Sequence, residues 1–497
     1  MNETLRILLV DDMKSVVGEI NTALLLLSVR NKIDWKCPAD PNIPFGCELP
    51  HGSELDKYDL ALVDLELFPT KSSLYYEPDD LRGGTEVLPY LREEAPWLPV
   101  LAESRLYLKE AEHFLAVAGS FGFDGHIPRD IFRKGMIDKK LWDLLINTAG
   151  DLRLKAVIGD KVWKNRQDPE IEVAHETESI LSGRTTHWRE LIQKVFCFNR
   201  KVVVHKLPGG FSGAQVFKVY ARPPFEHGGS EGEWLLKISN SPSKLHQEAQ
   251  AHLSMLRSGL DFARMVPLLW NDVIVHRRTG AIAYQFASNT REASEFLDTT
   301  SNVMKACEHM ASIFARFYRN TRTERSIIGN LFSEWGPSPE TLVKLLSLLP
   351  NSPAKTLLKQ AASKHESALL SEDVEYRRCL IHGDLHLSNI MIGDSNVLID
   401  FARSKDGPIA VDAAKLLSDF FLRLPQLQLA ELPSWDTRTG LTGEILGCLD
   451  LSFNLNQGDK KLFSLFLISN LTLALQYGDV GKETKAWIRT VVSSTTL

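Results

Sequence analysis

The stretch HGDLHLSNIMIGDSNVLIDF, residues 382–401, decides how the larger part of this 497-residue chain is read. Asp384 is a carboxylate able to accept or orient the proton of an acceptor hydroxyl. Asn389, one loop later, offers an amide oxygen of the kind that hard cations take. The short hairpin IMIGDSNVLID then returns the chain and sets the Asp400 carboxylate beside Asn389. One aspartate in such a place reads as a turn or cap residue. Two carboxylates and an amide spaced across a loop and a hairpin read instead as a metal cleft next to a base.

Upstream, from Lys201, come consecutive strands, VVVHKL, AQVFKVYA and EWLLKIS, parted by glycine-containing turns and followed by a helix bearing HQEAQAHLSML. The turn in LPGGFSGAQVFKV places Gly209, Gly210 and Gly213 between two apolar strands, where backbone amides can approach phosphates closely. Lys237 is a charge inside an apolar strand and Glu248 falls on the next helix. A lysine held by that glutamate would reach the α- and β-phosphates of a nucleotide; a surface ion pair accounts for the two residues nearly as well. From Thr300 onward the spacing is helical, interrupted by one strand-rich passage, CLIHGDLHLSNIMIGDSNVLIDF. A small sheet lobe therefore precedes a large helical lobe.

In this order, glycine loop, lysine strand, glutamate helix, H-G-D-x-H-x-x-N and then D-F, the C-terminal part resembles the aminoglycoside phosphotransferase and choline kinase group of the protein-kinase-like superfamily. The resemblance implies an α+β bilobal kinase-like domain that moves a phosphoryl group from ATP, with Mg²⁺, to the hydroxyl of a small molecule or a protein. It implies Asp384 as catalytic base, Asn389 and Asp400 as metal ligands, and Gly209, Gly210, Gly213, Lys237 and Glu248 as the ATP-binding set. His382 and His386 match histidines that look mainly structural, and Asp412 in GPIAVDAAKL matches an aspartate that buttresses the catalytic loop. The stretch AYQFAS, residues 283–288, resembles the connector between lobes where backbone groups meet adenine. Ala402 stands where protein kinases have glycine after D-F. The helical lobe holds no acidic cluster that marks an aminoglycoside pocket.

The front of the chain alternates strand and helix. LRILLV, an amphipathic stretch through Leu27, DLALVDL, a helix from Gly84, PVLA, KEAEHFLAVAGSFG and FDGHI predict a parallel sheet. Residues 31–57, rich in Pro, Gly and Asp, read as an extended inserted loop without evident chemistry. Asp11 and Asp12 end the first strand and Asp64 a later one, so in a parallel sheet their carboxylates share the C-terminal edge. Residues 4–145 resemble response-regulator receiver domains, of flavodoxin-like α/β fold. That resemblance implies Mg²⁺ on Asp11 and Asp12, Asp64 as phosphoryl acceptor, Ser104 in PVLAES as the switch hydroxyl, and a sensor histidine kinase as donor. The family's lysine in the last motif is replaced by Arg129, whose planar fork differs from an ammonium. TKSSLYYEPDDLR enlarges the loop after Asp64. A receiver fold kept only as an interaction module is the alternative.

The chain is thus expected to be multidomain: a receiver-like domain at 1–148, a partly helical linker at 149–195, a kinase-like N-lobe at 196–290 and a helical C-lobe at 291–497. A net charge of −6 without a basic stripe disfavours nucleic acid. No apolar run reaches membrane-spanning length, and MNETLRILLVDD lacks the order of a signal peptide, so a cytoplasmic location is expected. The six cysteines show no C-x-x-C spacing and read as reduced structural thiols. The leading reading is a phosphotransferase governed by its front domain, through the linker or a homodimer partner. A nucleotide-binding pseudokinase adaptor competes with it, and antibiotic phosphorylation leaves the front domain unexplained. The domain order also resembles components of bacterial conflict or defence assemblies bearing ternary-complex-associated domains.

Overall fold

The computed structural model describes residues 4–11, 15–26, 31–36, 49–64, 82–104, 123–128, 149–159, 163–164, 166, 168–184, 187–207, 214–222, 232–257, 266–286, 289–363, 367–393, 396–424, 427 and 440–495. Two compact units make up the chain: residues 1–250 with 268–286, and residues 251–267 with 287–497.

In the first unit, strands β1 (Leu5–Val10), β2 (Asn31–Lys36), β3 (Leu60–Asp64), β4 (Val100–Ser104) and β5 (Gly125–Pro128) form a sheet in the order β2-β1-β3-β4-β5, with helices α1 (Ser15–Leu26) and α2 (Arg82–Glu94) between strands. Every pairing in it is parallel, which is the flavodoxin-like arrangement. β3 is buried at all its residues, as a strand covered on both faces must be. Residues 31–57, expected as one inserted loop, need correction, because they hold the edge strand β2 and a 3₁₀ turn at Gly52–Lys57. NKIDWK is half-exposed along its whole length, so its apolar signal is too weak to announce a strand.

A second sheet in this unit is built from β6 (Glu170–Val173), β7 (Lys201–Lys206), β8 (Gln215–Arg222), β9 (Gly232–Ser239), β10 (Ile274–His276) and β11 (Thr279–Gln285), in the order β10-β11-β9-β8-β7-β6. Phe217, Val219 and Ala221 alternate inward along β8, the period that a half-buried strand requires. Residues 149–195, expected as a linker, carry α3 (Ala149–Ile158), α4 (His175–Arg184), α5 (Trp188–Val195) and the strand β6, which pairs parallel to β7. Leu154, Leu181, Trp188, Leu191 and Ile192 from this segment are buried in one core with Val202 and Phe217. The polar composition of GDKVWKNRQDPEIEVAHETES misleads because only every third or fourth side chain of the short helices, and alternate residues of β6, face the core. Helix α6 (Pro242–Arg257) follows β9.

In the second unit, helices α7 (Thr300–Phe317), α8 (Ile328–Trp335), α9 (Pro339–Leu346), α10 (Pro353–Ser363), α11 (Ile409–Arg423), α12 (Gly440–Phe453), α13 (Gln457–Ala474) and α14 (Lys482–Ser494) enclose one apolar core. Phe314, Phe420, Phe421, Phe453 and Phe463 are fully buried there. β12 (Thr290–Glu292), β15 (Ile390–Gly393) and β16 (Val397–Leu398) form one small sheet, and β13 (Arg322–Ile327), β14 (Asp373–Ile381) and β17 (Lys405–Pro408) another. The expectation of helix outside a single strand-rich passage is corrected by β13 and most of β14. RTERSI has hardly an apolar residue, and Arg378 of β14 ties it through Glu324 at 3.2 Å while tying β17 through Asp406 at 2.8 Å. No helix among the described residues is long and apolar enough to cross a membrane.

Because Leu154, Leu181, Trp188, Leu191 and Ile192 are core, Trp188→Ala should lower stability by about 3–5 kcal/mol, read as a drop in the urea midpoint. A surface linker would leave that midpoint unchanged.

Candidate phosphotransfer site

β14 delivers the chain into His382, and one buried carboxylate shapes the loop beyond it. Asp412, on the first turn of α11, accepts hydrogen bonds from the His382 amide at 2.7 Å, the Gly383 amide at 2.8 Å and the Tyr318 hydroxyl at 2.6 Å. Burial pushes the Asp412 carboxyl above its ordinary range, against the pull of His382 and of these donors. Gly383 has φ +78°, and a Cβ there would lie 2.2 Å from the Arg403 carbonyl oxygen, so glycine is demanded twice over. His382 pairs through Nε2 with the Ile399 carbonyl at 2.8 Å and packs on the Phe401 ring, with centroids 5.0 Å apart. The loop before the hairpin and the residue after it are thereby tied together. His386 caps a 3₁₀ turn at Leu387–Asn389 through its carbonyl, and burial holds its imidazole below the ordinary value.

Asp384 leaves this collar with its carboxylate about one quarter exposed. Lys415 Nζ lies 3.4 Å from its Oδ1 and Arg403 Nε 3.7 Å from its Oδ2. Burial pushes the Asp384 carboxyl up, but Lys415 and Arg403 outweigh it and hold the group below the usual carboxylate range. It is therefore ionised at neutral pH. Asn389 is buried and donates its Nδ2 to the Asp384 carbonyl at 2.9 Å, which fixes the amide plane and leaves Oδ1 as its acceptor atom. The Ile399 amide donates to the Asn389 carbonyl at 3.0 Å, and β15 and β16 pair Ile390 with Leu398, so the Asp400 backbone comes one residue beyond the position opposite Asn389. Asp400 holds φ +62°, a left-handed backbone that a non-glycine residue keeps only when its surroundings impose it. An amide oxygen and a carboxylate are donors of the kind that Mg²⁺ takes, since it prefers oxygen ligands and keeps several waters.

In the first unit, Lys237 on β9 pairs with Glu248 on α6 at 2.6 Å, both nearly buried. The Tyr284 hydroxyl donates to the same Glu248 oxygen at 2.6 Å. Such a pair is costly to break, because either partner alone would be a buried charge. Gly209, Gly210 and Gly213 lie outside the described residues, as do residues 287–288 of the expected connector.

At the C-terminal edge of the parallel sheet, Asp11, Asp64 and Glu103 bring carboxylate oxygens within 4.8 Å of one another, all three buried. Three carboxylates at one edge offer oxygen ligands of the kind that hard cations take. Asp12 and Arg129 lie outside the described residues, and Ser104 is placed by its backbone at the end of β4 only.

Sequence reasoning overlooks Lys415, Arg403, Tyr318, Tyr284 and Glu103. Two of them carry a signal. Lys415 sits three residues after Asp412 on one helix, hence on the same face. Glu103 is a charge inside a strand, and β3 and β4 pair it with Asp64.

Residues 330–441 match the family model APH, the phosphotransferase enzyme family. The matched segment includes Asp384, Asn389, Asp400, Arg403, Asp412 and Lys415. No curated protein matches the sequence. Among solved structures, the chain is similar to one described as a fructosamine-3-kinase from Haemophilus somnus 129PT, at 10% identity and TM-score 0.40, over 62% of this chain and 98% of that one. A thermostable mutant of aminoglycoside phosphotransferase APH(4)-Ia matches at 12% identity and TM-score 0.24, over 54% and 92%. A CheY-like response regulator receiver domain protein from Methanospirillum hungatei JF-1 matches at 18% identity and TM-score 0.18, over 29% and 94%.

Removing the collar should show its weight in order. Tyr318→Phe, which deletes one donor, should cost about 1 kcal/mol, and Asp412→Ala, which strands two buried amides and a hydroxyl, about 3 kcal/mol or more. Chemical denaturation of the two variants checks the ranking.

Proposed function

We propose that this protein is an ATP-dependent phosphotransferase acting on a hydroxyl acceptor, with Asp384 as the catalytic base, and that its front region sets its output. The observation that carries the reading is the Asp384 carboxylate, placed beyond the Asp412 collar between Lys415 and Arg403 and bonded through its own backbone to Asn389. In the reaction, the acceptor oxygen bonds to the γ-phosphorus as the bond to the β–γ bridging oxygen breaks, and ADP leaves. The hydroxyl proton passes to Asp384. Asn389 and Asp400 are the residues that would hold Mg²⁺, which neutralises charge on the phosphates when bound. Lys237, steadied by Glu248 and Tyr284, would hold the α- and β-phosphates, and the amides around Gly209, Gly210 and Gly213 would cover them. Lys415 and Arg403 keep the base deprotonated.

For the front region we propose that Asp64 accepts a phosphoryl group, with Asp11 and Glu103 beside it as cation ligands in a buried oxygen cluster that suits Mg²⁺. A nucleotide-binding adaptor without turnover is the second reading. Its support is the double ion pair on Asp384, since a carboxylate engaged by two cations is a weaker proton acceptor.

Wild type with ATP, Mg²⁺ and a panel of hydroxyl acceptors should turn over, and Asp384→Ala and Asp400→Ala should each lose about 10²–10⁴-fold in kcat. ATP binding without turnover on any acceptor would leave the adaptor reading standing. A pH profile gives a finer check. The base works only when ionised, so the rate falls as pH drops through its pKa. Lys415 depresses that pKa, and Lys415→Met should therefore move the acid limb of kcat/KM to higher pH.

A further inference from the structure

Helix α6 begins at Pro242, and its first turn is capped from far away in sequence. Asp56, nearly buried on the 3₁₀ turn Gly52–Lys57, accepts the Ser243 backbone amide on Oδ1 at 2.8 Å. Its Oδ2 accepts the Ser241 hydroxyl at 2.6 Å and the Ser243 hydroxyl as well. A serine before a helix ordinarily satisfies the amides of the first turn with its own oxygen. Here a full carboxylate takes that place, at the end of the helix where backbone dipoles favour negative charge. Just over one turn beyond Ser243 stands Glu248, whose carboxylate grips Lys237 at 2.6 Å.

The cap is part of a continuous docking edge. Arg278, in the turn between β10 and β11, donates Nε to Asp59 Oδ1 at 3.1 Å and Nη2 to the Thr4 carbonyl at 3.1 Å. Asp59 is almost fully buried and also accepts the Arg6 amide at 2.7 Å. Trp97, just ahead of β4, packs on His246 of α6 with ring centroids 5.3 Å apart, and His246 in turn pairs with Asp272 at 2.6 Å. Thr4, Asp59 and Trp97 precede β1, β3 and β4, so they mark the N-terminal edge of the parallel sheet. The Asp11, Asp64 and Glu103 cluster occupies the opposite edge. β3 joins the two, running from the residue after Asp59 to Asp64 over about 13 Å.

We propose that Asp56 is a positioning residue for the nucleotide site: by holding the start of α6 it sets where Glu248 places Lys237, and so couples the receiver-like sheet to nucleotide binding. This rests on the reading of Lys237 as a phosphate ligand. It does not need turnover to occur. A passive packing contact would affect folding stability alone, whereas a positioning contact alters nucleotide affinity in protein that is fully folded.

The test uses the full chain with ATP and Mg²⁺ as probe. Asp56→Ala and the milder double variant Ser241→Ala/Ser243→Ala are compared with wild type for ATP affinity by calorimetry and for amide exchange across residues 242–257. Asp56→Ala should weaken ATP binding about tenfold and speed exchange at the start of α6, with the serine variant shifted the same way by less. Arg278→Ala, which loosens the docking edge without touching α6, should shift ATP affinity less than Asp56→Ala. Faster exchange with unchanged ATP affinity would overturn the proposal and reduce Asp56 to a structural cap. Unchanged exchange would overturn it as well. Should Asp56→Ala fail to fold, the serine variant decides by the same two readouts. A wild type that binds ATP without turning it over sinks the phosphotransferase reading, yet the affinity shift still decides this one. A wild type that binds no ATP overturns both.

Discussion

Asp412 accepts three hydrogen bonds where water does not reach, and the C-terminal unit is arranged around that fact. A carboxylate in such a place is tolerable only if donors surround it, and the donors available are two consecutive backbone amides and a tyrosine hydroxyl. Consecutive amides can converge on one carboxylate only if the chain turns sharply, and Gly383 with its positive φ supplies the turn. The turn throws Asp384 outward, toward Lys415 and Arg403. Tyr318 can serve because its ring is embedded among Phe314, Phe317 and Phe453, the last at 4.6 Å between centroids. An apolar core and an ionised loop are thus mutually dependent: the aromatics hold the hydroxyl, the hydroxyl steadies the carboxylate, and the carboxylate shapes the loop.

Carboxylates in the first unit are used in three distinct ways. Asp56 caps a helix, Asp59 is buried against an arginine, and Asp11, Asp64 and Glu103 crowd one another. Burial raises the cost of charge in each case, and the difference lies in what compensates. At Asp59 burial pushes the carboxyl up while Arg278 pulls it down, so the pair persists only with both partners in place. At the cluster three carboxylates lie within 4.8 Å of one another, oxygen donors of the kind that a hard cation takes.

Much of this is legible in the sequence, and the rest is hidden for physical reasons. Residues 382–401 announce a loop and a hairpin because glycine, asparagine and alternating apolar residues at fixed offsets leave few other conformations. The parallel sheet follows from strand runs of mostly apolar residues alternating with helical spacing. By contrast, β2, β6 and β13 escape notice because edge strands are half wet and carry polar side chains. Asp56 sits in a stretch that reads as a featureless loop, since its partner lies 187 positions away and nothing local hints at a cap. Arg403 and Lys415 act through charge on Asp384, and charge acts through space, to which sequence spacing is blind unless one helix holds both groups.

The parallel pairing of β6 with β7 has a consequence for how such a protein can be inherited. A strand contributed by residues 170–173 closes the sheet that carries Lys237, and the helices flanking it fill that sheet's core. A receiver-like region that could be cut away at residue 148 would be a cassette, free to be exchanged between genes. Here the segment behind it belongs to the next sheet and the region itself supplies a helix cap there. A break at that junction would leave the lysine-bearing sheet without the carboxylate that caps α6, so the two sheets depend on one another at that point.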